Sequence, residues 1–373
     1  MKWSIPALAA VGVFLVQPLG RARADEIPAK YLPTITKGLD YLVSKQFKDG
    51  HWGANGDTYP SSMTGLAGVA LLMEGSTVRE GKYSKNIRLA VDWCMSRAQK
   101  GGARDGLIGN PDHPTETGRY MYGHGFATLF LALAYGEEDD KERRAQMKDV
   151  LTRAVKYIGN AQSTQGGWFY TSAKDGHDQD EGSVTVTQMQ ALRACRNAGI
   201  PVPKTFVTKG ADYLRKSTTA NGGVIYSLGR GGIGAPIGGE RPALTAAAIA
   251  CLFSAGEYSN KYVKDWFKYT KRAVLDHGSG RIGHDEYTHY YLCQAVYVLG
   301  DDGWEKMFGA TPAKERVTWS KYREDMFDHL VKSQNTDGSW PGGGGFSVGP
   351  VDSTAIYTTM MQLDRGAVPF YAQ

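Results

Sequence analysis

Several features that would assign this 373-residue chain to a familiar class are missing from its sequence. No basic cluster with interleaved aromatic side chains occurs, so nucleic acid is not expected as a partner. The apolar run at 3–19 is interrupted by Pro6 and Pro18, which argues against a membrane span. No linker rich in proline and serine divides the rest of the chain. We therefore predict a single domain over 25–373.

Cysteine is also scarce, with four residues in the whole chain. Even numbers of cysteines permit disulfides in exported proteins. All four lie in apolar segments, however, which favours buried thiols that act as small apolar side chains. The cysteines are Cys94, Cys195, Cys251 and Cys293.

The first 24 residues have the organisation of a secretory signal peptide. Lys2 provides a short charged start, an apolar run follows, and the Ala-Arg-Ala sequence at 22–24 matches a cleavage site. We expect cleavage before Asp25 and export to the periplasm or the extracellular space; an uncleaved anchor is the alternative. Removal of this segment lowers the formal net charge from +5 to +2, since it carries three basic residues and no acidic one.

Glycine, by contrast, is abundant, and six glycines recur in turns at intervals of 56 to 60 residues. Such a fixed period indicates a repeat architecture. The turns include Asp49-Gly50-His51-Trp52 in the first repeat. The six marker glycines are Gly50, Gly106, Gly166, Gly222, Gly280 and Gly338.

Each repeat contains two segments with helical patterning. The segment before the turn is amphipathic, as shown by Ile35, Leu39 and Leu42, and the segment after it is apolar on all sides. The amphipathic segments are 35–43, 87–98, 147–161, 206–215, 262–275 and 322–331, and the apolar segments are 63–73, 122–135, 184–195, 243–253, 288–299 and 353–363. Because a helix that is apolar all round must be buried all round, we predict an all-α (α/α)6 toroid. Its buried helices form an inner ring around a central cavity, and its amphipathic helices form an outer ring.

An acidic residue precedes nearly every predicted inner helix. If these helices run parallel, their N-termini meet at one mouth of the ring, and two interpretations stay open. The acids could cap the helices and offset their dipoles, or they could converge so that mutual repulsion raises a pKa and prepares a general acid. The acids are Asp57, Glu116, Glu181, Glu240, Glu286 and Asp352.

The densest acidic cluster lies immediately before the third inner helix. Here we predict Asp180 as a candidate proton donor, flanked by Asp178 and Glu181. The alternative is a solvated loop in which Ser183 caps the helix.

Candidate ligand-binding residues lie at the starts of three inner helices. Tyr120 and His124 share a helix face, and the glycines beside His124 leave space for a ligand or for close helix packing. His289 and Cys293 are spaced for two zinc ligands, but the sequence shows no third ligand, so we predict no metal and no cofactor. Tyrosine offers both a ring and a hydroxyl for binding. The predicted ligand-binding residues are Tyr120, Tyr122, His124, Gln188, Tyr287 and His289.

Three turns carry a more specific signature. The strings at 46–52 (QFKDGHW), 162–168 (QSTQGGW) and 334–340 (QNTDGSW) resemble the prenyltransferase and squalene-oxidase repeat, the QW motif of terpenoid cyclases. The resemblance covers the chain downstream of the signal segment, implies an α/α toroid with a central cavity, and is closest to exported bacterial proteins of that superfamily. In squalene cyclases the middle aspartate of a D-x-D-D string protonates an alkene. The resemblance places that role on Asp180, although Glu181 occupies the final position here.

Other family features are missing. The fourth inner helix lacks the Asp-x-Cys zinc ligands of protein prenyltransferase β-subunits, and the chain is too short for the second helical domain of squalene cyclases. Three hypotheses stay open. The cavity could bind an extended or apolar, isoprenoid-like small molecule without turnover. The chain could instead be a cyclase-like or prenyltransferase-like enzyme with Asp180 as acid, or a carbohydrate-active toroid that uses carboxylates as acid and base.

Overall fold

The computed structural model describes residues 26–176, 178–229, 237–278, 285–342 and 348–366. The predicted signal peptide, His177 and the marker Gly280 lie outside these ranges. Signal cleavage and the boundaries of the predicted domain therefore stay predictions.

Two sets of helices alternate along the chain. The outer set comprises α1 (Leu32–Lys45), α3 (Ser84–Ser96), α5 (Lys141–Ala161), α7 (Lys204–Lys216), α9 (Lys261–Ala273) and α12 (Trp319–Ser333). The inner set comprises α2 (Pro60–Met73), α4 (Tyr120–Tyr135), α6 (Gly182–Asn197), α8 (Pro242–Ala255), α10 (Asp285–Leu299) and α13 (Pro350–Met361). The connections also contain a short helix, α11 (Gly303–Phe308), and two antiparallel strands, β1 (Ile225–Ser227) and β2 (Ile237–Glu240).

Burial separates the two sets as the hydrophobic pattern predicts. Every residue of α2 is buried, whereas α9 buries one face that includes Val263, Trp266 and Phe267. All four cysteines are buried and form no disulfide. Within the part of the chain that the structure covers, no helix combines the length and apolar character needed to cross a membrane.

The inner helices form a closed ring. They pack on one another in the order α2, α4, α6, α8, α10, α13, and α13 returns to α2. At the closure, Gln362 Nε2 donates a hydrogen bond to the Ala70 carbonyl over 3.1 Å, and Gln334 Nε2 donates to the Thr34 carbonyl over 2.9 Å. The predicted (α/α)6 toroid is confirmed.

The glutamine and tryptophan of the three signature strings join successive outer helices. Each glutamine Nε2 donates to the carbonyl of its own turn glycine and to a carbonyl in the first turn of the next outer helix. Each tryptophan Nε1 donates to a carbonyl near the end of the preceding outer helix. The glutamine acceptors in the next helix are Asn86, Phe206 and Thr34, and the tryptophan acceptors are Leu42, Ile158 and Leu330.

The five marker glycines that the structure describes recur because each lies against the backbone of the next outer helix. Gly50 has a φ of +103°, and a Cβ there would lie 2.4 Å from the Leu89 carbonyl oxygen of α3. Gly338 has a φ of +90°, and a Cβ would lie 2.3 Å from the Lys37 carbonyl oxygen of α1. Glycine alone tolerates both the positive φ and the close approach. A glycine therefore recurs once for each helix pair of the ring.

Candidate functional site

A cavity of about 540 Å³ lies at the N-terminal ends of the inner helices. Pockets of this size bind small molecules. Its wall is largely tyrosine and aliphatic, with two arginines and two carboxylates. The tyrosines are Tyr59, Tyr122, Tyr170, Tyr226, Tyr287 and Tyr290, and the apolar side chains include Met63, Leu66, Phe126, Leu244 and Ile356.

Four of these tyrosines form two groups of hydrogen bonds. Two of them bond to Ser183 at the start of α6, and the other two bond to each other. The Tyr122 hydroxyl hydrogen-bonds Ser183 Oγ, and the Tyr287 hydroxyl donates to the Ser183 carbonyl over 3.1 Å. The hydroxyls of Tyr170 and Tyr226 hydrogen-bond each other. Burial raises the pKa of all four phenols. They therefore stay neutral and present hydrogen-bonding hydroxyls rather than charges.

Glu181 lies behind this wall and caps α6. Its carboxylate accepts hydrogen bonds from the backbone N–H groups of Ser183 (2.9 Å) and Val184 (2.6 Å) and from Ser183 Oγ (2.7 Å). The Tyr122 hydroxyl donates a longer bond to it, at 3.4 Å. Burial raises the Glu181 pKa to about 7, against the opposing effect of these hydrogen bonds. Glu181 thus contacts cavity-lining side chains without lining the cavity itself.

The other two predicted catalytic residues bind structural partners outside the cavity wall. Asp180 is buried, and its Oδ1 accepts from Ser227 Oγ (3.1 Å) and from the Leu228 N–H (2.9 Å), which links it to β1 and the residue that follows. Asp178 accepts from the Thr164 backbone N–H over 2.8 Å and from the Thr164 hydroxyl. The predicted catalytic cluster is therefore split among three separate hydrogen-bonding arrangements.

Of the six predicted ligand-binding residues, Tyr122 and Tyr287 line the cavity. Tyr120 instead donates its hydroxyl to Asp175. His124 is fully buried between helices, where its Nδ1 accepts from the Ile108 N–H over 3.0 Å. Burial lowers the His124 pKa to about 3, so the imidazole is neutral. Tyr120 and His124 therefore lie in the packed interior rather than at the cavity wall.

Gln188 and His289 are also placed away from the cavity wall. Gln188 is buried and donates to the Met121 carbonyl over 2.8 Å. His289 Nδ1 lies 2.9 Å from the Tyr322 hydroxyl, between α10 and α12. Across the ranges described above, no three or more His, Cys, Asp and Glu side chains converge as metal ligands would.

Two of the six acids predicted to precede inner helices line the cavity, namely Glu286 and Asp352, and both lie within the first turn of their helix rather than before it. Burial and the nearby Glu286 raise the Asp352 pKa to about 7. Ser353 Oγ lies 3.4 Å from Glu286 Oε1. A carboxylic acid that is partly protonated at neutral pH is thus present inside the cavity.

The remaining acids form local contacts instead. Glu116 accepts from the Ser61 backbone N–H over 2.7 Å and so caps the neighbouring α2. Asp57 lies 2.9 Å from His51 Nε2, and Glu240 accepts from the Thr219 hydroxyl. Glu116 and Glu181 therefore cap helices, whereas Glu286 and Asp352 lie at the cavity, and a role as general acid stays a prediction.

The sequence patterns above do not single out Arg119 and Arg241, which line the mouth of the cavity. Their guanidinium groups lie over the rings of Tyr170 (5.0 Å) and Tyr226 (5.4 Å). Both side chains are solvent-exposed, which places them where the cavity meets solvent. A signal was available, since each arginine directly precedes the first residue of an inner helix, α4 or α8.

No family model and no curated protein sequence matches the chain. Solved structures match it over nearly their whole length. The type II terpene cyclase MstE from Scytonema has a TM-score of 0.55 at 14% identity, over 91% of this chain and 98% of that one. A variant of the same cyclase, in complex with its substrate geranylgeranyl dihydroxybenzoate, has a TM-score of 0.54 at 14% identity over the same shares.

Carbohydrate-active proteins share the architecture. Cellobiose 2-epimerase from Spirochaeta thermophila has a TM-score of 0.59 at 12% identity, over 91% of this chain and 99% of that one. At these identities the similarity establishes a fold and no activity: the chain is an α/α toroid.

Proposed function

We propose that this chain is an exported toroid of the prenyltransferase and squalene-oxidase repeat type that binds an extended, largely apolar ligand, isoprenoid-like in character, in its central cavity. The observation that carries the proposal is the cavity wall, which combines aliphatic side chains with neutral tyrosines around about 540 Å³ of space. Burial of each ligand CH₂ against such a wall contributes about 0.8 kcal/mol. The complex of the terpene cyclase variant supports the proposal, since a toroid of this architecture holds a geranylgeranyl compound.

The family and the export belong to the same proposal. The family rests on the three signature strings, whose glutamine and tryptophan make the same backbone hydrogen bonds in three repeats. Export rests on the signal-like segment at 1–24. Mass measurement of the protein recovered from an expressing bacterial host tests this part: a chain that begins at Asp25 supports export, and an intact N-terminus in the cytoplasmic fraction contradicts it.

Ligand binding is tested with the uncharged fluorophore N-phenyl-1-naphthylamine and with mass spectrometry of organic extracts of the purified protein. Ala243 lines the cavity, so Ala243→Trp fills part of the space. Ala145 is exposed on α5, so Ala145→Trp is a matched control. We expect Ala243→Trp to weaken fluorophore binding by about tenfold, or about 1.4 kcal/mol, and Ala145→Trp to leave it unchanged. Absence of binding to the unmodified protein, or equal binding by both variants, would contradict the proposal.

A second candidate function is an enzyme that acts on the same ligand. Asp352 favours it, because an acid that holds its proton near neutral pH inside an apolar cavity can protonate a ligand. The resemblance assigns this role to Asp180, which is bound to Ser227 and Leu228. Asp352→Asn and Asp180→Asn, each incubated with an isoprenoid substrate and analysed for product, separate the two acids. Loss of product in Asp352→Asn alone supports the cavity acid, loss in Asp180→Asn alone supports the sequence prediction, and no product from the unmodified protein removes this candidate.

A carbohydrate ligand is a third candidate. The two cavity carboxylates, Glu286 and Asp352, together with the tyrosine rings, are the groups that sugar-processing sites use. Glycans in an aqueous extract of the purified protein, with no lipid in the organic extract, would favour it.

A further inference from the structure

We propose that the hydroxyls of Tyr59 and Ser62, at the start of α2, bind an oxygen atom of the ligand. The cavity then selects an apolar ligand that carries a hydroxyl or carbonyl group over the hydrocarbon of the same carbon skeleton. This inference rests on the proposed function and names the polar group of the ligand and the residues that recognise it.

The two side chains belong to the same end of one inner helix. Ser62 lies in the first turn of α2, and Tyr59 directly precedes the helix. Both line the cavity. The other residues of α2 that line it are Met63, Leu66 and no further polar residue among those described. The two hydroxyls therefore form a polar spot on an otherwise apolar part of the wall.

Ser62 is buried with its hydrogen-bonding capacity unused. The residue is 7% exposed, and within the described part of the chain no group is hydrogen-bonded to its Oγ. The adjacent Ser61 differs, since its Oγ donates to Glu116 over 2.9 Å. A buried hydroxyl without a partner is unfavourable. Because Ser62 faces the cavity, a ligand in the cavity can supply the missing partner.

Tyr59 differs from other tyrosines of the cavity in the same respect. The hydroxyls of Tyr122, Tyr170, Tyr226 and Tyr287 each form a hydrogen bond with the protein. The Tyr59 hydroxyl forms none with the residues that the structure covers. Since phenol and alcohol hydroxyls both donate and accept, this pair can donate to a ligand oxygen and accept from a ligand hydroxyl.

The backbone fixes Tyr59 at the wall. Its φ of 53° and ψ of 48° are left-handed, a conformation that is unfavourable for a bulky side chain. Its N–H donates to Thr115 Oγ1 over 2.8 Å, and Ala54 and Thr58 exchange backbone hydrogen bonds of 2.8 and 2.9 Å just before it. Strain of this kind persists where the surroundings enforce it and concentrates at binding sites. The ring is thus held in place before a ligand arrives.

This arrangement discriminates between ligands by what each leaves unpaired. A hydrocarbon that fills the cavity removes the two hydroxyls from water and gives them no partner, which costs free energy. A ligand oxygen at the start of α2 restores the hydrogen bonds. Sites built to bind a ligand hydroxyl reject the analogue that lacks it for this reason.

The test uses two acyclic isoprenoids of similar size: geraniol, which has a hydroxyl, and myrcene, which has none. Their affinities are measured at pH 7 by displacement of N-phenyl-1-naphthylamine from the protein and from the variants Tyr59→Phe, Ser62→Ala and the two combined. We expect the double variant to weaken geraniol about tenfold and to leave myrcene unchanged or tighter. Each single variant should produce part of the loss.

The matched controls remove equivalent hydroxyls elsewhere. Ser61→Ala removes the hydroxyl that donates to Glu116, so it should lower the midpoint of urea unfolding and leave the ratio of the two affinities unchanged. Ser62→Ala removes no hydrogen bond within the described protein and should leave that midpoint unchanged or raise it. Tyr258→Phe, at a residue that is 39% exposed, should change neither quantity. A merely structural role of Tyr59 and Ser62 would instead lower the midpoint and weaken both probes alike.

The outcomes separate this inference from the function on which it rests. If the double variant binds geraniol as the unmodified protein does, or loses both probes equally, the hydroxyl pair does not recognise a ligand oxygen, although displacement of the fluorophore by both probes still supports an apolar cavity. Failure of the fluorophore and both probes to bind the unmodified protein removes the proposed function itself. If the double variant does not fold, an unchanged affinity ratio in both single variants also overturns the inference.

Discussion

A fully buried carboxyl group and a partly buried one, on opposite sides of the inner ring, both have a raised pKa but have different partners. Glu181, which caps α6, has a pKa of about 7 because it is buried. Asp352, at the start of α13, has a pKa of about 7 because it is buried beside Glu286. Glu181 accepts hydrogen bonds from the backbone of its own helix, whereas Asp352 lines the cavity.

The comparison shows that a raised pKa does not by itself mark a functional carboxylate. Burial is the largest cause of the shift in both places. What distinguishes the two groups is the identity of their partners: protein N–H groups for Glu181, and a second carboxylate and open space for Asp352. A change at Glu181 should therefore affect folding, and a change at Asp352 should affect the response to pH and to ligands.

The largest expected effect is that of Glu181→Ala on stability. The substitution leaves the buried N–H groups of Ser183 and Val184 without their acceptor, so we expect the free energy of unfolding to fall by about 2–4 kcal/mol. Urea unfolding followed by circular dichroism at pH 7 measures it. Glu324→Ala, at an exposed site on α12, is the control and should change stability by less than about 0.5 kcal/mol. Equal stability of the two variants would show that Glu181 is not a structural cap.

The fold around these two groups was largely predictable from the sequence, because the buried apolar residues and the turn glycines recur at regular spacings. The apolar segments and the glycine spacing define six helix pairs, and the structure contains all six. The helix starts were less predictable. The pattern begins at residue 147 for α5, which starts at Lys141, and at residue 288 for α10, which starts at Asp285. The residues at these two helix starts that the pattern does not include are mostly polar. A pattern of apolar residues therefore cannot predict that they are helical.

A smaller effect is expected from Asp352→Asn, and its size should depend on pH. The folded pKa of Asp352, about 7, lies above the ordinary aspartate value of 3.8. The protonated form is therefore favoured by folding, and the native chain loses stability as pH rises from about 4 to 7. Asparagine resembles the protonated acid and has no such dependence. Relative to the native chain, Asp352→Asn should gain about 2–3 kcal/mol between pH 5 and pH 8. Urea unfolding at both pH values measures this gain, and a constant difference would mean that Asp352 is ionised throughout.

The candidate site was less predictable than the fold, for a reason visible in its residues. The acidic cluster around Asp180 is conspicuous because its members are adjacent in sequence, yet Asp178, Asp180 and Glu181 bind different partners. The charged residues that do line the cavity are dispersed along the chain, and two of them, Arg119 and Asp352, lie 233 residues apart. Only closure of the ring brings them together. Their shared position at the starts of inner helices was the available signal.

The smallest expected effect concerns Tyr122, which connects the capping carboxylate to the cavity. Its hydroxyl donates to Glu181 and its side chain lines the cavity. That hydrogen bond lowers the Glu181 pKa, so Tyr122→Phe should raise it further. Because the folded pKa already exceeds the ordinary glutamate value of 4.5, stability falls as pH rises from about 4.5 to about 7. In the variant this fall should continue to higher pH.

We expect Tyr122→Phe to cost about 1 kcal/mol of unfolding free energy at pH 8 and less at pH 6. The matched control is Tyr287→Phe, since the Tyr287 hydroxyl also lies at Ser183 but donates to its carbonyl rather than to Glu181. Unfolding free energies of the three proteins from pH 6 to pH 9 give the answer. If the unfolding free energies of the two variants change in parallel with pH, the Tyr122 hydroxyl does not interact with the charge on Glu181. The cavity and the capping carboxylate would then be electrostatically independent. A steeper decline for Tyr122→Phe alone would mean that a ligand that displaces the Tyr122 hydroxyl also changes the proton affinity of the cap.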